Sequence, residues 1–105
     1  MNLSKNEISS IHQSTFKGLS KLEELHLDYN KIKTLDPNLF NVSKNLRILY
    51  LNNNEISSID ENAFQGLSKL EGLCLNKNQI TSLSSDLFND CRNLRILNLS
   101  KFFEQ

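Results

Sequence analysis

The chain has no tryptophan, one proline, three glycines and two cysteines among its 105 residues. Each scarcity excludes something. So little glycine and proline rules out collagen-like and loose low-complexity chains. Two thiols cannot make a disulfide framework, so a hydrophobic core must hold the fold. No apolar run approaches the roughly 18–20 residues of a membrane helix, and insertion into a membrane is not expected. Met1-Asn2-Leu3-Ser4-Lys5-Asn6 lacks the apolar stretch of a secretion signal. Excess charge of one sign is also missing: twelve basic and twelve acidic residues are interspersed. With no basic patch standing out, nucleic acid and anionic membrane are disfavoured as partners. Phosphate loops, dinucleotide fingerprints and paired-histidine metal motifs do not occur, so no cofactor and no metal is expected.

Leucine and asparagine are abundant instead, at 19 and 15 residues. That bias calls for a search for repeats. At a period of 24 the chain stacks into columns: Leu22, Leu46, Leu70 and Leu94; Leu25, Leu49, Leu73 and Leu97; Leu27, Leu51, Leu75 and Leu99, joined by Leu3. Asn6, Asn30, Asn54 and Asn78 follow, then Ile8, Ile32, Ile56 and Ile80, then Ile11, Leu35, Ile59 and Leu83, and finally Phe16, Phe40, Phe64 and Phe88. The pattern is LxxLxLxxNxIxx[IL]xxxxF. Its LxL core alternates with period two, which predicts a short strand with both leucines inward. Stacked rungs about 4.8 Å apart then form a parallel sheet. An asparagine where the chain leaves the strand can bond the backbone groups that the turn strands. The phenylalanines predict a continuous apolar spine on the opposite side.

These columns resemble the 24-residue typical class of leucine-rich repeat, the class of Toll-like receptor ectodomains, variable lymphocyte receptors of lampreys and small leucine-rich proteoglycans. The resemblance covers about residues 3 to 99. It implies an α/β-type right-handed solenoid with four or five short parallel strands on the concave face. Turns, 3₁₀ pieces and extended segments would line the convex face, with little α-helix. The chain reads as a single domain over 1–105, with units at about 1–21 (partial), 22–45, 46–69, 70–93 and 94–105 (partial). Function is implied only broadly, since one fold serves many ligands. The expectation is recognition of a protein ligand by the concave face, as in extracellular receptors or ectodomains of innate defence. A structural matrix-type repeat protein and an intracellular adaptor are the rival classes. The second would suit the missing signal and the missing cysteine-rich caps of extracellular members. Phe102 and Phe103 break the repeat and are expected to fold over the open edge. Alternatively the chain is a fragment of a longer solenoid, and its uncapped ends would favour self-association.

A second period of 48 underlies the first. Residues 1–48 and 49–96 are identical at 26 aligned positions. Near the phenylalanines, small Thr15 and Ala63 accompany large Leu19 and Leu67, whereas large Leu39 and Leu87 accompany small Ser43 and Cys91. Sharing of one core volume would explain the swap, and it requires Leu39 and Leu87 to be buried.

Outward positions on and just after the strands vary where the inward ones recur. The position between the strand leucines reads Asn2, His26, Tyr50, Cys74 and Asn98; the one before them reads Glu24, Ile48, Gly72 and Ile96. The two positions after them read Ser4, Asp28, Asn52, Asn76 and Lys5, Tyr29, Asn53, Lys77. In the first of these rows and the last two, all six comparable pairs differ between the two halves, among them His26/Cys74, Asp28/Asn76 and Tyr29/Lys77. A recognition surface gives this contrast, and so does an unconstrained solvated one. The candidate ligand-binding set is Glu24, His26, Asp28, Tyr29, Ile48, Tyr50, Asn52, Asn53, Asn76 and Lys77. Tyr29, Tyr50 and His26 are its leading anchors, because aromatic rings with polar tips are enriched at interfaces. The competing account is cross-strand packing that merely stabilises the sheet. His26 and Tyr50 lie one rung apart and should nearly touch.

No catalytic residues are expected. Cys74 and His26 lie two rungs apart, roughly 9.6 Å by strand spacing, too far for a nucleophile and its base. Cys74 reads as a free and reactive surface thiol, and Cys91 as a small core residue too remote to bridge it. Asn2, Asn41 and Asn98 begin glycosylation sequons at a frequency that chance explains. Glu7, Lys31 and Glu55 read as a solvated column of alternating charge.

Overall fold

A computed structural model describes residues 1–99. The expected cap of Phe102 and Phe103 lies outside them. The strands are β1 (Glu24–His26), β2 (Thr34–Leu35), β3 (Ile48–Tyr50), β4 (Ser58–Ile59), β5 (Gly72–Cys74) and β6 (Ile96–Asn98). The four LxL cores pair in parallel in the order β1-β3-β5-β6, so that Leu25 lies beside Leu49, Leu49 beside Leu73 and Leu73 beside Leu97. Asn2 adds a fifth rung as a parallel bridge to His26. A slip of one residue would turn every strand leucine into solvent, and Leu25, Leu49 and Leu73 are fully buried. No α-helix occurs among the described residues; one 3₁₀ turn spans Gln13–Phe16.

The other side of the solenoid carries a feature the column pattern reads only as extended chain. Strands β2 and β4 form a second parallel sheet, with Thr34 beside Ser58 and Leu35 beside Ile59. Two residues per rung are too few to show alternation in sequence. Behind both sheets the phenylalanine column stacks as expected: centroids are 5.9 Å apart for Phe16 and Phe40, 6.2 Å for Phe40 and Phe64, and 6.0 Å for Phe64 and Phe88.

The asparagine column joins consecutive units. Asn54 Nδ2 donates to Leu51 O of its own unit at 3.1 Å and to Leu27 O of the preceding unit at 3.0 Å. Its Oδ1 accepts from the Ile32 N–H, also of the preceding unit, at 3.1 Å. Asn30 repeats these bonds with Leu27, Leu3 and Ile8, and Asn78 with Leu75, Leu51 and Ile56. The amide is the one small side chain with donors and an acceptor at fixed separation, and it satisfies groups that no ladder reaches. Asn6 is exposed and donates to Leu3 O and Ser4 O of its own unit.

The 48-residue alternation has a backbone cause as well as a volume one. Leu39 and Leu87 are buried at 1% and 3% exposure, beside buried Ser43 and Cys91, and Ala63 and Leu67 are buried too, so the exchange of large and small positions takes place inside the core from the second unit on; in the first unit Thr15 is exposed and Leu19 half-buried. At Phe16–Leu19 the backbone makes a type II turn, with Lys17 at φ −59°, ψ 132° and Gly18 at φ 86°. Gly66 repeats this at φ 83°. The same turns at Phe40–Ser43 and Phe88–Cys91 carry Val42 and Asp90 at the glycine position, without positive φ. The two turn types differ by a flip of the central peptide, so glycine and the large following leucine travel together. The flipped Gly66 N–H is satisfied by the next unit, donating to Asp90 Oδ2 at 2.9 Å. In the first half Val42 stands in the place of Asp90.

Two stability predictions follow the ladder and the turn. Asn54→Ala strands the Ile32 N–H in the interior, while Leu27 O and Leu51 O keep the Asn30 and Asn78 amides, and should cost about 1–3 kcal/mol in urea unfolding. Asn6→Ala, in the same column but exposed, should cost less than about 1 kcal/mol. Asp90→Ala should lose about 1–2 kcal/mol through the Gly66 amide, and Val42→Asp should gain roughly 0.5–1 kcal/mol by giving Gly18 the same acceptor. Thermal melts of the two variants that move in the same direction would contradict the turn account.

Candidate functional site

The sheet face is built by strands whose inward leucines leave the residues between them facing out. Glu24, His26, Ile48 and Tyr50 sit within β1 and β3, exposed or half-buried. Asp28, Tyr29, Asn52, Asn53, Asn76 and Lys77 lie beyond the strand ends, at the corner leading to the asparagine ladder. There Lys5, Tyr29, Asn53 and Lys77 all adopt left-handed backbone, at φ 58–59°. Only Asn53 is a residue that takes this conformation readily; elsewhere it costs about 1–2 kcal/mol relative to the right-handed region. The repeat imposes it, because the 29 N–H must still reach Asn52 O, and the 53 N–H must reach Asn76 O, in the next rung. Lys, Tyr, Asn and Lys carry no sequence signal for the turn. Its result is that Tyr29 stands out of the surface at 48% exposure.

Three of the ten candidate residues, Glu24, His26 and Tyr50, form one connected cluster, and Asp28 stands beside it. His26 and Tyr50 stack, with centroids 4.4 Å apart and planes 17° from parallel. His26 Nε2 lies 2.6 Å from Glu24 Oε1, and since an ionised carboxylate only accepts, that nitrogen carries a proton. On the other side Nδ1 stands 3.9 Å from Asp28 Oδ1, beyond hydrogen-bonding distance. Asp28 is occupied by the Ser4 hydroxyl, which donates to it at 2.7 Å. Farther along, Asn52 Nδ2 donates to Asn53 Oδ1 at 2.8 Å, and Asn76 Oδ1 is shielded without a donor.

Cys74 corrects an expectation. It is free and half-buried rather than an open surface thiol. Desolvation, with the Asp28 charge adding to it, raises its pKa above the ordinary thiol value and suppresses the thiolate. Cys91 is buried in the core, as expected, and its pKa is pushed up to about 11 by the same desolvation and by Asp90. At pH 8, iodoacetamide should therefore modify Cys74 more slowly than a free cysteine peptide, and Cys91 only on unfolding. Asp28→Asn should speed the Cys74 reaction; an unchanged rate would show that the Asp28 charge is not felt there.

Residues that the column reading leaves out define the flank of the sheet. Arg47 Nε donates to Glu71 Oε2 at 2.7 Å, and its Nη1 lies 3.7 Å from Glu23 Oε1. These partners hold the exposed Arg47 guanidinium pKa above its usual value and the Glu71 carboxyl below its own. A cavity on this flank is lined by Arg47, Lys69, Arg92 and Arg95 together with Glu71. Charge that is interspersed along the chain is thus gathered in space, which corrects the reading that no basic patch stands out. Glu7 and Lys31 form the exposed pair expected of them, at 3.7 Å. Among the described residues no group of three His, Cys, Asp or Glu could hold a metal ion, and no helix is long and apolar enough to cross a membrane.

A parallel stack of three-residue strands, an asparagine ladder and a phenylalanine spine define a leucine-rich-repeat solenoid. The family profile described as "Leucine rich repeat" matches residues 1–56 and 44–101, and the chain belongs to that family. Among solved structures, TLR13 in its complex with ssRNA13 superposes with a TM-score of 0.90 at 34% identity, over 93% of this chain and 14% of that one. The leucine-rich repeat domain of APL1B gives 0.91 at 27%, over 95% of this chain and 30% of that one. A chain of the glycosylated Toll–Spatzle complex of Drosophila development and innate immunity gives 0.83 at 26%, over 93% and 15% respectively. The chain therefore spans less than a third of each of these proteins. No curated protein matches it in sequence. Leucine-rich-repeat domains are generally non-enzymatic recognition modules, and this one is similar to Toll-like receptor ectodomains.

Proposed function

We propose that the chain is a recognition module that binds a protein ligand on its concave sheet face, in a receptor-like setting of innate defence. The observation that carries this is the contrast within each rung. The inward leucine, asparagine and phenylalanine columns recur to the residue, whereas the outward group Glu24, His26, Asp28 and Tyr50 is not repeated 48 residues on, where Gly72, Cys74, Asn76 and Asn98 stand. The stacked pair offers a flat aromatic surface with polar edges, and Tyr29 projects beside it, the composition from which interface anchors are drawn. An extracellular or ectodomain setting is favoured by the kinship to TLR13 and to the Toll–Spatzle structure. Asn52, Asn53, Asn76 and Lys77 extend the surface as polar contacts around these anchors.

Tyr29→Ala and Tyr50→Ala test the proposal against a partner isolated by affinity capture. Each should weaken binding by about 1–3 kcal/mol, read as a change in Kd by calorimetry. Thr34→Ala, on the convex sheet, should leave it unchanged. Undiminished binding by both tyrosine variants would remove the concave face as the interface and favour the structural class.

A further inference from the structure

At the centre of the sheet the outward row loses a side chain. Gly72 stands between Ile48 and Ile96 in register, and a β-carbon built there would meet only Ile48, at 3.9 Å. The missing side chain opens a cavity of about 260 Å³, walled by Ile48, Gly72, Cys74 and Ile96, with Tyr50 at one end. Arg47, Glu71 and Arg95 line this cavity and also the basic one on the flank, so the two adjoin. From this geometry we infer a subsite that takes one aliphatic side chain of a protein segment, flanked by acidic residues. The inference rests on the concave-face reading and narrows it to a partner chemistry.

Size and charge each limit the occupant. Pockets for drug-sized molecules run from about 300 to 1,000 Å³, so this one suits a single side chain. Its walls are largely apolar, whereas the flank gathers four cations against two carboxylates, Glu71 and the adjoining Glu23, both of them on Arg47 at 2.7 and 3.7 Å. Positive charge is therefore left over beside an apolar hole, and a carboxylate next to the inserted side chain complements it. A polynucleotide fits less well. Its continuous phosphate chain would have to pass Glu23, Glu24 and Asp28 on the same side, and one face of the Tyr50 ring is already covered by His26.

The test is a methyl and amide NMR titration of the chain with the acetylated peptide Asp-Glu-Leu-Glu-Asp. The Ser-for-Leu peptide and a polyuridine RNA of equal charge are the comparisons. The leucine peptide should move the methyl signals of Ile48 and Ile96 and bind at least about tenfold tighter than the serine one. Gly72→Leu, which fills the cavity, should abolish the shifts. Ile96→Ser, at a position 66% exposed and so tolerant of change, should weaken them. Arg95→Gln should weaken binding roughly two- to fivefold. Equal binding of the two peptides, wild-type shifts in both Gly72→Leu and Ile96→Ser, or tighter binding of the RNA at the same methyls would each overturn the subsite. The broader reading fails separately: a captured partner that ignores Tyr29→Ala and Tyr50→Ala removes it even where the peptide binds. A partner lost with those variants but retained by Gly72→Leu removes the subsite alone.

Discussion

A strand of three residues cannot hold its neighbours by itself, and the fold depends on what happens where each strand ends. There the chain turns through a left-handed residue into the interior, leaving amide and carbonyl groups that neither sheet reaches. One asparagine per unit closes this gap. Its oxygen accepts from the unit before, and its nitrogen bridges the carbonyls of both units, as Asn54 does with Ile32, Leu27 and Leu51. Because the bonds run between units, the ladder sets the spacing of the rungs as well as satisfying the corner. The leucine and phenylalanine columns can then pack in register.

This division of labour frees the sheet face. Backbone pairing, inward leucines and the asparagine amide together satisfy the scaffold, so nothing in the fold dictates which residues point outward. The two halves of the chain share their inner leucine, asparagine and phenylalanine columns and differ at most outer pairs, Ile48 and Ile96 being the match. The scaffold does reach the face in one way. It forces left-handed backbone on Tyr29 and Lys77, and so fixes how those side chains leave the surface.

The convex side follows a different rule, in which backbone and volume change together. Glycine with a type II turn accompanies a large following leucine, and a non-glycine residue accompanies small Ser43 or Cys91. The volume exchange was legible from residue sizes at a period of 48. The turn change was only half legible, since Gly18 and Gly66 hint at positive φ but nothing in the chain announces that Asp90 accepts from the Gly66 amide. The short second sheet was not legible at all, because two residues per strand leave no period to read.

The repeat therefore determined the architecture by itself. Its inward columns specify strand register, the corner amide and the aromatic spine, since a periodic chain has one arrangement that buries every column. The rows of the face were legible for the same reason, and so was the His26–Tyr50 stack, one rung apart. Tertiary structure decided what those rows amount to. Arg47, Glu71 and Arg95 lie 24 positions apart in a chain of balanced charge, and only stacking brings them to one flank beside the gap at Gly72. The character of Cys74 was decided there too, because a thiol's pKa answers to its desolvation and its neighbours across the sheet, which no periodicity reports.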